Sequence, residues 1–104
     1  MKIVGITACP TGIAHTYMAQ EGLEKEARKR GHMVKIETQG SIGIENELTA
    51  QEIADADIVI LAIAVVIDGE DRFEGKKIFK ADVNKSITHP EKIIDEAERL
   101  VNNR

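Results

Sequence analysis

The sequence has a single cysteine, so no disulfide can form within the chain, and nothing favours an oxidising compartment. Aromatic residues make up only 3% of the chain, and its 14 basic side chains are interspersed among 18 acidic ones. It therefore offers neither a stacking platform nor a basic stripe, and nucleic acid is not an expected partner. No apolar run approaches the ~20 residues of a membrane-spanning helix, and the apolar stretch near the amino terminus is too short for a signal peptide. We expect a small intracellular protein with one domain over residues 1–104.

Short apolar runs alternate with helical patterns along the chain. Strands are predicted at residues 2–7, 32–38, 58–64 and 77–81, and helices at residues 12–30, at 49–55 and from 88 onward. Thr49 and Glu52 have the spacing of a capping box, Thr88 is the predicted cap of the last helix, and residues 39–43 are predicted to be a flexible polar connection. This alternation implies right-handed crossovers and a mostly parallel sheet, in which ligands bind beyond the carboxyl ends of the strands.

The one cysteine, Cys9, stands between the first predicted strand and the first predicted helix. The N–H groups that open a helix attract anions and favour the thiolate, which is the nucleophilic form of cysteine. The Pro-Thr-Gly sequence that follows can form a small loop whose amides hold a phosphate. The pattern thus predicts that Cys9 accepts a phosphoryl group, and the alternative is a buried apolar cysteine at a strand end.

The spacing Cys-x5-His-Thr, from Cys9 to Thr16, is similar to the Cys-x5-Arg-Ser/Thr loop of low-molecular-weight phosphotyrosine phosphatases. Those enzymes hold the phosphate with a bidentate Arg, and an Asp protonates the leaving group. Here His15 occupies the Arg position, and no Asp-Pro pair occurs in the chain. A phosphatase is therefore disfavoured, and arsenate reductase chemistry is disfavoured because it needs further thiols.

A longer segment carries a more specific resemblance. Residues 7–19 read Thr-Ala-Cys-Pro-Thr-Gly-Ile-Ala-His-Thr-Tyr-Met-Ala, which resembles the signature of the fructose-type IIB component of the bacterial phosphoenolpyruvate-dependent sugar phosphotransferase system. The run Glu-Thr-Gln-Gly-Ser-Ile-Gly at residues 37–43 resembles the second hallmark of that family. Similar runs occur at residues 57–62 and 71–73, so the resemblance covers roughly residues 2–97.

The resemblance implies a defined phosphoryl transfer. A phosphohistidine on a IIA domain would donate to Cys9, and the resulting phosphocysteine would pass the group to a sugar presented by the membrane IIC transporter. Fructose is the leading sugar, and mannose-like substrates stay open. No cofactor or metal is expected, and the protein is expected to be a cytoplasmic monomer that visits the inner face of the membrane. The implied fold is an α/β, Rossmann-like three-layer sandwich with a four-stranded parallel sheet in the order 2-1-3-4.

The resemblance also assigns roles to loop residues on the active-site side. The phosphate-binding loop would comprise the residues around the thiol: Pro10, Thr11, Gly12, Ile13, Ala14 and His15. Gln39, Gly40 and Ser41 follow the second predicted strand, so they would be loop or partner contacts on that side, and the alternative is an ordinary polar connection. His15 can steady the phosphate, contact the partner or simply lie on the helix surface.

One segment departs from the family pattern. Many members carry Ala-Asp-Ile-x-Val-Asp after the central strand, whereas residues 63–68 here place Ala64 and Val66 where charged residues are usual. Residues 65–67 are hypothesised to form an apolar docking surface instead. The departure also motivates an alternative function, a regulatory or docking module that has lost phosphoacceptor activity.

Overall fold

One sheet with helices on both faces accounts for the described residues, which are 1–9, 13–40 and 43–102 of the computed structural model. The strands are β1 (Lys2–Ala8), β2 (Met33–Gly40), β3 (Gly43–Glu45), β4 (Ile58–Ile63) and β5 (Ile78–Ala81). The helices are α1 (Ile13–Lys29), α2 (Ala50–Asp55), α3 (Val83–Thr88) and α4 (Pro90–Asn102), with a 3₁₀ turn at Glu70–Phe73. Within these described ranges, no helix has both the length and the apolar character needed to cross a bilayer.

The sheet has the strand order β3-β2-β1-β4-β5. Its four parallel strands confirm the predicted order 2-1-3-4, and the central pair is in register with Ala8 beside Ile63. The predicted count of four strands is wrong by one, because β3 pairs antiparallel with the end of β2 where a flexible connection was predicted. All three β3 residues are exposed, so this strand has no alternation of buried and exposed positions that a sequence pattern would reveal.

The sheet and the helices on its two faces form the three predicted layers, with one apolar cluster on each face of the sheet. Helices α1 and α4 cover one face, where the fully buried members are Ile3, Leu23, Ala27, Ile58, Ile60, Ala62, Ile94 and Ala97. The other face is covered by α2 and the 3₁₀ turn, with a cluster that includes Val4, Ile6, Ile53, Val59, Leu61 and Phe73. Strands β1 and β4 are buried on both faces, which is why they read as continuous apolar runs.

The helix caps match the prediction at α2 and differ from it near the carboxyl end of the chain. Thr49 and Glu52 form the predicted capping box. Thr88 does not cap α4, because it is the last residue of α3 and its hydroxyl donates to the Asn84 carbonyl at 3.0 Å. Helix α4 opens directly at Pro90. Helix α3 was not predicted, since its six residues include Val, Asn, Ser, Ile and Thr, which are weak helix formers.

Helix α3 packs closely on α1 at Gly22. A Cβ atom at this position would lie 2.8 Å from the Ser86 carbonyl oxygen, so only glycine allows the two backbones to approach this far. The contact fixes α3 against the layer that also contains α4. It therefore fixes the residues at the start of α3, which follow β5 directly.

Candidate functional site

Three neighbouring strands end side by side and bring their next residues together. Cys9, Ala64 and Asp82 are the first residues after β1, β4 and β5. In the sheet Ala8 is level with Ile63, and Ala62 is level with Ala81. The three strand ends open on a cavity of about 360 Å3, which is lined by Cys9, His15, Ile63, Ala64, Asp82, Val83 and Asn84.

Cys9 is half-buried at the mouth of this cavity. The carbonyl of Ala8 accepts a hydrogen bond from the Ala64 amide at 2.9 Å, which holds the start of the loop against the end of β4. The Cys9 Sγ lies 4.0 Å from Nδ1 of His15 in the first turn of α1, the outer limit for a hydrogen bond to sulfur. The thiol thus has an imidazole within reach that can exchange a proton with it.

Asp82 lines the same cavity as Cys9. Its Oδ1 accepts hydrogen bonds from the amides of Asn84 at 2.7 Å and Lys85 at 3.3 Å, so it caps α3 and its orientation is fixed. The side chain is exposed to solvent, and within the described part of the chain it has no ion-pair partner. The cavity therefore combines a thiol, an imidazole, a carboxylate and an amide.

Part of the predicted phosphate-binding loop lies outside the described residues, namely Pro10, Thr11 and Gly12. Ile13 begins α1, Ala14 is exposed in its first turn, and His15 lines the cavity. The next residue, Thr16, is buried, and its hydroxyl has no hydrogen-bond partner in the described ranges.

Gln39 and Gly40 of the second predicted group stand at the end of β2, and they are not among the described residues that line the cavity with Cys9. The Gln39 amide donates to Glu37 at 2.8 Å and to the Asp68 carbonyl at 2.9 Å, and its oxygen accepts from the Asp68 amide at 2.9 Å. Gly40 pairs with Gly43 of β3, and Ser41 lies outside the described residues. Gln39 thus links the end of β2 to the segment that follows β4.

A buried ion pair reinforces the same link. Both nitrogens of the Arg72 fork donate to the two carboxylate oxygens of Glu37 at 3.0 Å, and the Leu48 amide donates to the same carboxylate at 2.9 Å. Burial by itself raises the pKa of a carboxylate, but the hydrogen bonds from Arg72, Gln39 and Leu48 outweigh it. They hold the pKa of Glu37 below its ordinary value. The segment after β4, which begins in the cavity at Ala64, is therefore anchored at its far end.

The hypothesised apolar surface at residues 65–67 is smaller than expected. Val66 is 98% exposed and Val65 is 38% exposed, but Ile67 is buried in the core cluster around Phe73. Ile67 therefore cannot be part of a docking surface. Two exposed valines follow Ala64 directly, so an apolar patch does adjoin the cavity.

The sequence reasoning missed Asp82 and Asn84. Asp82 follows directly after the predicted fourth strand, so the rule that located Cys9, a residue just beyond a strand end, also points to it. Asn84 had no such signal, because it enters the cavity only through α3, which was not predicted. Glu37 and Arg72 each belong to a run that resembles the family, but nothing in the sequence predicted that they form a pair.

Comparisons with known proteins agree on one family. The model of the family described as the lactose/cellobiose-specific IIB subunit of the PTS system matches residues 4–96. The fructose-like EIIB component 2 of the PTS system of Escherichia coli is 50% identical over 97 residues, which cover 93% of this chain and 92% of that protein. A domain of the fructose-specific IIABC component of Borrelia burgdorferi is 54% identical with a TM-score of 0.87, covering 92% and 91% of the two chains. The solution structure of an enzyme IIB subunit from Escherichia coli is 43% identical with a TM-score of 0.89, covering 96% and 93%.

Proposed function

Because this chain belongs to the IIB family of sugar phosphotransferase systems, as its residues 7–19 predicted, we propose that Cys9 carries a phosphoryl group from a IIA phosphohistidine to a sugar. IIB components are phosphotransferases of sugar uptake. The relatives with fructose-like or fructose-specific names make fructose the proposed sugar. The observation that carries the proposal is the position of the Cys9 thiol, at the end of a central strand and within reach of His15.

In the first step the Cys9 sulfur attacks the phosphorus of the donor. The N–P bond of the phosphohistidine breaks as the S–P bond forms, and the thiol proton goes, in net terms, to the imidazole nitrogen that the phosphoryl group leaves. His15 Nδ1, 4.0 Å from Sγ, is the nearby group that can hold this proton during transfer. The donor is already activated, so this step needs no metal ion from the protein.

In the second step the phosphoryl group passes to the sugar held by IIC. The S–P bond breaks, a bond forms from phosphorus to a sugar hydroxyl oxygen, and the hydroxyl proton returns in net terms to Cys9. The phosphate-binding loop is proposed at Pro10, Thr11 and Gly12. Its amides would stabilise the phosphoryl group during transfer, because they offset its charge without positioning a water for attack. Gln39, Gly40 and Ser41 are proposed as contacts for IIA or IIC.

The physical setting of the protein follows from these partners. We propose that residues 1–104 form one IIB domain that acts as a monomer, because both partners must reach the same thiol in turn. The proposed location is the cytoplasm at the inner face of the membrane, where IIC presents its sugar. The two exposed valines beside the cavity, Val65 and Val66, are proposed as part of the IIA contact.

Intact-mass spectrometry tests the proposal. The protein is incubated at neutral pH with phosphoenolpyruvate, Enzyme I, HPr and a fructose-type IIA. One added phosphate is expected, labile to iodine as thiophosphates are, and absent from Cys9→Ser. The serine variant is a close steric match, so its folding by circular dichroism should be unchanged. No phosphate on the wild-type protein, from two IIA proteins shown to be charged, would contradict the proposal.

Two further assays, of IIA binding and of aryl phosphate hydrolysis, separate the alternatives. A regulatory module, motivated by Ala64 and Val66, would bind charged IIA without gaining phosphate. A phosphatase would release phosphate from an aryl phosphate ester, and the histidine in the position of the phosphatase Arg argues against this activity.

A further inference from the structure

We propose that the carboxylate of Asp82 determines how strongly Cys9 retains the phosphoryl group, and so favours its release to the next acceptor. The inference rests on the proposed phosphocysteine and concerns its stability. It assigns a role to a residue that lines the same cavity as the thiol and that the proposed transfer chemistry does not otherwise use.

The position of Asp82 is determined by the sheet and by α3. Strand β5 ends at Ala81, level with Ala62 of β4, so the next residue stands at the mouth of the cavity that also contains Cys9. Two backbone amides of α3 hold its Oδ1, and the close approach of α3 to α1 at Gly22 holds the helix. The carboxylate is therefore held beside the first turn of α3, where Val83 and Asn84 line the same cavity.

The Asp82 carboxylate has no ion-pair partner among the described residues, whereas Glu37, near the same end of the sheet, is paired with Arg72. A phosphoryl group on a side chain carries about −1.5 to −2 charges at neutral pH. Placing it in the same cavity as a carboxylate raises the free energy of the phosphorylated form relative to the thiol form. Transfer to an acceptor relieves this repulsion.

The effect is moderate because Asp82 is exposed. Solvent and salt reduce the interaction between two charges at a surface, and the Debye length is about 8 Å at physiological ionic strength. We expect the carboxylate to shift the equilibrium between phosphorylated IIA and this protein by about threefold to tenfold. A shift of this origin becomes smaller as salt is added, whereas a change in folding or packing does not follow salt in this way.

The test compares Asp82→Asn with the wild type. Asparagine caps a helix about as well as aspartate, so α3 should persist while the charge is removed. Protein and IIA are equilibrated with limiting phosphoryl donor, and both phosphorylated fractions are read by intact mass. The expected result is a phosphocysteine-to-phosphohistidine ratio about threefold to tenfold higher in Asp82→Asn, with the difference shrinking between low and high salt.

A matched control stands at the opposite end of the sheet. Asp57 also uses its carboxylate to accept a backbone hydrogen bond, from the Lys2 amide at 2.8 Å, and it is remote from Cys9. Asp57→Asn removes the same charge and should leave the ratio at its wild-type value. A second variant, Asp82→Ala, removes both the charge and the cap.

Each outcome decides the inference. A raised, salt-sensitive ratio in both Asp82 variants, with no change in Asp57→Asn, agrees with it. An unchanged ratio in Asp82→Asn overturns it, as does an effect seen only in Asp82→Ala, which would trace to the cap. Equal shifts in Asp57→Asn would point to net charge and also overturn it. If the wild type gains no phosphate at all, the proposed function fails first and this inference with it.

Discussion

Two acidic side chains near the carboxyl ends of the parallel strands differ in their burial and in their partners. Glu37 is 0% exposed, carries a bidentate arginine and accepts two further hydrogen bonds. Asp82 is exposed, lines the cavity of Cys9 and, within the described ranges, has only backbone amides as partners for its side chain. A buried carboxylate must be paired because desolvation of a lone charge is very costly. An exposed carboxylate can stay uncompensated, and its field then acts on whatever charge enters the cavity.

The largest expected effect on stability comes from removing the arginine that pairs with Glu37. Arg72→Ala leaves a buried charge without its partner, and we expect a loss of about 3 to 5 kcal/mol in the free energy of unfolding. Urea unfolding at neutral pH measures it. Arg99→Ala is the control, because the Arg99–Glu96 pair is exposed and its loss should lower the free energy of unfolding far less. Equal losses in the two variants would show that the Glu37–Arg72 pair is not a structural anchor.

An intermediate effect is expected on the free energy of unfolding at acidic pH. The folded protein holds the pKa of Glu37 below its ordinary value, so the associated stabilisation is complete above the unfolded pKa of about 4.3. It is lost as the pH falls from there through the lower pKa of the folded state. Glu37→Gln should be less stable than the wild type at pH 7 and should lose less of its stability between pH 5 and pH 3. Urea unfolding at several pH values measures this slope, and parallel curves for the two proteins would contradict the assignment.

The smallest expected effect on stability comes from a substitution next to the cavity, and it tests whether the exposed valines there contact IIA. Val66 is almost fully exposed, so Val66→Lys should change the free energy of unfolding by less than about 0.5 kcal/mol. If the valines beside the cavity contact IIA, the same change should weaken IIA binding, which calorimetry can measure. Met33→Lys is the control, since Met33 is also exposed but stands at the opposite end of β2. Unchanged IIA affinity in Val66→Lys would remove the basis for an apolar contact there.

The sequence predicted the elements whose pattern is dictated by burial. Strands β1 and β4 are buried on both faces and read as apolar runs, and the capping box at Thr49 is a local signal that needs no tertiary contact. Strand β3 and helix α3 have neither property. β3 exists because β2 offers an edge to pair with, and α3 exists because Asp82 caps it and α1 has a glycine at the contact.

The same division holds in the site. The location of Cys9 at a strand end was predicted, because it needs only the order of the elements, and the phosphoryl chemistry of Cys9 stays a prediction. The role of Asp82 needed the register between β4 and β5 and the existence of α3, which are properties of the assembled sheet. The bonds of Gln39 to Asp68 likewise join segments 29 residues apart, a distance over which no local pattern gives guidance.

The register of β5 also bears on how such a domain tolerates insertions and deletions. Strand β5 is four residues long, and each residue advances the chain by about 3.3 Å while the side chain turns to the other face of the sheet. One residue inserted before Asp82 would therefore put a different side chain at the mouth of the cavity and turn the carboxylate towards the opposite helical layer. At this strand, a change of length therefore changes which side chain lines the cavity.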